Sequence, residues 1–90
     1  MTPLEIAALH RFHQAAFQQS LRPMLIADLL ADPILLELAR TALTRMNEVI
    51  AARGPQADHV TTVTQACLAD ALRQVDAAGP NDISIQSETP

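Results

Sequence analysis

Proline positions constrain this chain more than any other feature. Five of the six prolines, at 3, 23, 33, 55 and 80, each open a new segment, four of them after a Thr, Asp or Gly suited to capping or ending a helix. Proline is tolerated in the first turn of a helix but not in its interior. The chain is therefore cut into short rods, and the question becomes whether each segment has a helical period.

Each main segment does. Thr2-Pro3-Leu4-Glu5 has the form of a capping box, in which Thr2 caps the backbone of Glu5 and Glu5 reaches back to Thr2. A first helix is expected to about Leu21, with an apolar stripe of Ile6, Leu9, Phe12, Ala16 and Phe17 that takes in His13. Arg22-Pro23 disfavours helix at Arg22. A short second helix is expected over 23–30, apolar almost all round, with Asp28 its one charged residue. Asp32 is a good N-cap for a third helix that starts at Pro33 and runs to about Arg53. Leu36, Ala39, Leu43, Met46 and Ile50 keep a 4-3 spacing along it, and Glu37, Arg40, Thr41, Thr44 and Glu48 form its wet face. Its broad apolar face marks this helix as the expected centre of the fold. Gly54-Pro55 ends it. A fourth helix is expected from about Asp58 to Ala78, burying Val60, Val63, Thr64, Cys67, Leu68, Ala71 and Val75, before Gly79-Pro80 repeats the stop.

The expected fold is all-α: a small helical bundle of three long helices and one short helix, formed by residues 1–80, with a disordered polar tail over 81–90. Composition agrees. Apolar residues make up 49% of the 90 residues, yet there are two Phe, no Trp and no Tyr, so the core must be aliphatic. Ala and Leu, which dominate, are strong helix formers.

Composition also excludes functions. All six basic residues are Arg, they are scattered, and the net charge is −4. Duplex nucleic acid needs a dense basic face, so nucleic acid is not the expected partner. The short helix, turn and third helix match a helix-turn-helix in length, and a DNA-binding regulator is the alternative reading. However, the first turn of the would-be recognition helix holds Ile34, Leu35 and Leu36, which leaves Arg40 and Arg45 as candidate base contacts. His10 and His13 are three apart and could share a metal ion, a further alternative. No second ligand pair accompanies them, so no cofactor or metal site is expected. Cys67 is the single cysteine and sits among Val63, Thr64, Leu68 and Ala71, where it reads as a small core residue. Neither a glycine-rich phosphate loop nor any catalytic constellation is present, and the chain is expected not to be an enzyme.

No apolar run reaches the ~20 residues that span a bilayer. The first ten residues lack a basic leader and include Glu5, so a cytoplasmic protein is expected. Arg without Lys, together with abundant Ala, suggests a GC-rich bacterial or phage source.

Apolar residues are in excess. Met24, Leu25, Ile26, Leu29, Leu30, Ile34, Leu35, Leu36 and Leu38 fall within fifteen residues, more than so short a chain readily hides. The expected function is protein–protein interaction: an adaptor, inhibitor or regulator acting as a homodimer or on a protein partner of unknown identity. The expected interface is Met24, Leu25, Leu29, Leu36, Leu43, Met46 and Ile50.

Overall fold

The computed structural model describes the backbone of residues 2–88 and the side chains of residues 2–78. The fourth helix runs on past Ala78, so the stop expected at Gly79-Pro80 is not made, and the side chains of the tail over 81–90 lie outside the described residues. Four α-helices follow one another: α1 (Pro3–Phe17), α2 (Arg22–Ala31), α3 (Pro33–Arg53) and α4 (His59–Glu88). Short 3-10 turns at Gln19–Leu21 and Gly54–Gln56 make two of the connections. There is no strand among the described residues, so the all-α bundle of three long helices and one short one stands.

The helix starts follow their capping chemistry. Thr2 Oγ1 accepts from the Glu5 amide at 3.2 Å, and the Thr2 amide donates to Glu5 Oε1 at 3.0 Å, which closes the capping box. Asp32 Oδ1 accepts from the amides of Ile34 (3.0 Å) and Leu35 (3.3 Å). Asp58 Oδ2 accepts from the Thr61 amide at 3.3 Å at the start of α4. Gly54 closes α3 with φ 57° and ψ −129°, a conformation that glycine adopts without a Cβ penalty.

The end of α1 departs from expectation. The helix stops at Phe17, not near Leu21, because Gln18 turns extended (φ −129°, ψ 99°). Arg22 explains the early stop. Its Nε donates to the Ala15 carbonyl at 3.1 Å and its Nη2 to the Ala16 carbonyl at 2.8 Å. Carbonyls that a continuing helix would have satisfied are taken by a side chain from the next element. That clamp also holds Arg22 itself in helical geometry, so α2 begins at Arg22, one residue before the expected start.

Phe12 is the one aromatic ring in the buried core of the described residues. Phe12, Leu29, Thr64 and Leu68 are its largest fully enclosed side chains. The long central helix is α4, not α3 as the sequence suggests: α1, α2 and α3 all pack against it. Its buried run of Thr64, Cys67, Leu68, Ala71, Leu72 and Val75 is broad enough to serve three neighbours. On α3 the buried positions are Leu35, Ala39 and Met46, so the seam is turned away from Leu36, Leu43 and Ile50, which are half-buried. On α1 the buried face is Ala8, Phe12, Ala15 and Ala16. Ile6 and Phe17, expected on the stripe, are 55% and 51% exposed. The reason is steric. Small alanines let the α1 backbone approach α4 closely around one large ring, and this turns the bulkier flank outward.

Ion pairs tie the helices together at the surface. Arg11 of α1 pairs with Asp28 of α2, Arg40 of α3 with Asp76 of α4 (2.6 Å), and Arg45 of α3 with Glu5 of α1 (3.6 Å). Asp70 and Arg73, three residues apart, pair within one helix. The spacings Glu37–Arg40 and Arg45–Glu48 also suggest local pairs, but both arginines reach across to another helix instead.

Candidate functional site

Two surfaces among the described residues are the candidates: the outward side of α2 and a groove between α1 and α3.

The α2 surface arises because a helix apolar all round can bury only one side against this core. Leu25 and Leu29 are buried, at 3% and 1% exposure. Pro23, Met24, Ala27, Leu30 and Ala31 lie on the opposite side and face solvent, with Met24 at 61% and Leu30 at 48%. None of the five side chains can ionise or hydrogen-bond. Ile34, 62% exposed in the first turn of α3, lies just beyond the end of this helix. Single exposed apolar residues are ordinary, whereas a run of them on one helix face is not.

The expected interface residues divide accordingly. Leu25, Leu29 and Met46 belong to the core of the single chain and offer nothing to a partner while it stays folded. Leu36 and Leu43 pack partly against that core, and Ile50 is half-buried. Met24 alone of the seven is freely exposed. The surface moves to Met24, Leu30 and Ile34 because α2 turns Leu25 and Leu29 inward. Leu30 and Ile34 carry no sequence signal that separates them from Leu29 and Leu35.

The groove is lined by Leu9, Phe12, Leu38, Ala42, Met46 and Val49, and is an open cleft of about 250 Å³. Glu5, Ala8, His13, Thr41, Arg45 and Thr61 complete its lining. The rings of Phe17 and His59 sit 6.1 Å apart at 59°, joining the end of α1 to the first turn of α4. Two further clefts have their charged groups already engaged. One of about 350 Å³ contains Arg22, bound to the α1 carbonyls, and Cys67. The other, about 520 Å³, contains the Arg40–Asp76 pair.

Titration shifts follow the hydrogen bonds. The Thr2 amide, then the Thr2 hydroxyl and the Arg45 charge, hold the Glu5 carboxyl below the usual carboxylate range. The hydrogen bond from Arg40 does the same for Asp76. Burial pushes the Cys67 thiol up, which disfavours the thiolate that nucleophilic or redox chemistry would need. A carboxyl with a lowered folded-state pKa contributes stability above its unfolded value, about 3.9–4.3, and loses it as pH falls through the folded value. Denaturant midpoints should therefore drop on acidification below about pH 4.3. Glu5→Gln and Asp76→Asn should each flatten that drop slightly, since both pairs are solvent-exposed. Equal acid sensitivity in the natural chain and both variants would contradict this assignment.

His10 is exposed and His13 half-buried, and among the described residues no three His, Cys, Asp or Glu side chains gather as a metal site. For a helix-turn-helix, the first turn of α3 presents Ile34 to solvent and buries Leu35, while Arg40 and Arg45 both face carboxylates. No helix among the described residues is long and apolar enough to cross a membrane. The chain matches no family model, no curated protein and no solved structure.

Proposed function

We propose that this protein is a non-enzymatic interaction module that associates with a second copy of itself through the outward face of α2 and Ile34. The observation that supports the reading is the exposure of Met24 and Leu30 on the apolar outward side of α2, followed by the exposed Ile34 in the first turn of α3. Burying one such side chain is worth about 1.5–3 kcal/mol. A two-fold pairing would bury each residue twice, because the same patch serves both copies. A small adaptor or regulator built this way would act by occupying a protein surface.

Sedimentation equilibrium at micromolar concentration tests the reading. The natural chain should sediment as a dimer. Ile34→Glu and Met24→Glu should each weaken association at least tenfold, a step of about 1.4 kcal/mol. Because both residues are exposed in the single chain, both variants should keep their helix content. A 9.7 kDa monomer across the whole range would overturn the proposal.

A further inference from the structure

We propose that the groove between α1 and α3 binds a small apolar carboxylate, such as a medium-chain acyl acid, with its carboxylate at Arg45 and its chain against Leu9, Leu38 and Val49.

Size comes first. An apolar cavity of about 150 Å³ takes up benzene. The 250 Å³ here leaves room for a longer acyl group. The walls suit such a chain: Leu9, Leu38 and Val49 supply accessible branched aliphatic edges, and Met46 an adaptable thioether behind them.

The hydrogen-bonding capacity left at the groove selects the head group. Glu5 is the one carboxylate in the lining, and its Oε1 already accepts from both the amide and the hydroxyl of Thr2. Its contact with Arg45 is 3.6 Å, longer than a charged hydrogen bond, and the Arg45 side chain is 59% exposed. A guanidinium has five N–H donors in a fork that fits a carboxylate. Arg45 thus retains donors for a second anion, and the Thr41 and Thr61 hydroxyls and the His13 ring line the same groove. An amine would meet Arg45 as a like charge, while an alcohol would gain the apolar contacts without the charge-assisted fork. The preferred ligand has an apolar body and an anionic head.

Titrating the ¹⁵N-labelled full chain with octanoate, octanol and octylamine, followed by amide chemical shifts, tests this. Octanoate should give saturable shifts centred on Ala8, Phe12, Ala42 and Met46, with octanol at least tenfold weaker and octylamine weaker still. Arg45→Met should bring octanoate down to the level of octanol and leave octanol unchanged. Glu5→Gln, which preserves the capping box, should tighten octanoate by removing the competing carboxylate. Ala42→Phe should fill the groove and abolish binding; should that variant fail to fold, the Arg45→Met comparison decides. Equal affinity for all three probes, an Arg45→Met variant with undiminished octanoate affinity, or shifts confined to the α2 face would overturn the proposal.

Discussion

Leu68→Ala should destabilise the protein by about 2–5 kcal/mol, the range for emptying a buried leucine site. Leu68 is fully buried and sits on α4, the helix against which the other three pack. Truncating it removes contacts from the centre of the bundle, and the surrounding helices cannot collapse into the space without shifting α4 itself. A domain of this length has roughly 5–14 kcal/mol of stability in total. The loss should lower the melting temperature by roughly 8–40 °C, at about 4–8 °C per kcal/mol. Ile34→Ala is the control. At 62% exposure, and at concentrations where the chain is monomeric, it should change stability by no more than about 0.5 kcal/mol. Urea melts followed by circular dichroism read both. A Leu68→Ala cost below about 1 kcal/mol would mean that Leu68 does not occupy the core.

Thr64→Val should stabilise the protein by about 1–3 kcal/mol, against the usual direction of core substitutions. Thr64 is fully buried, and among the described residues its Oγ1 is a buried side-chain oxygen without a hydrogen-bond partner. Helical threonines often bond back to the carbonyl four residues earlier, as Thr62 does to Asp58 (2.9 Å) and Thr44 to Arg40 (3.1 Å). Thr64 makes no such bond, so its hydroxyl loses water on folding and gains nothing in return. Valine has the same shape and no group to desolvate. A loss of more than about 1 kcal/mol in the variant would show that the hydroxyl is bonded in solution.

Much of this protein was legible in its sequence where the cause is local. Thr2-Pro3, Asp32-Pro33 and Gly54-Pro55 mark helix boundaries because capping and proline geometry act within a few residues. The polar face of α3 was readable for the same reason: Glu37, Arg40, Thr41, Thr44 and Glu48 recur at a period that puts them together on any helix, and all are exposed. Tertiary structure decided the rest. No breaker stands at Gln18; α1 ends there because Arg22, from beyond the turn, takes the carbonyls of Ala15 and Ala16. Arg45 pairs with Glu5, forty residues away, rather than with Glu48 one turn along its own helix. The same holds for the candidate surfaces. Apolar periodicity identifies which residues could be buried, but α2 has more of them than one face can hold. Which side turned inward depended on the fit of Leu25 and Leu29 into the space beside α4, and that choice left Met24 and Leu30 outside. On α1, likewise, the alanines went in and Ile6 and Phe17 stayed out, because close packing rewards the shape of a whole face rather than the hydrophobicity of its largest members.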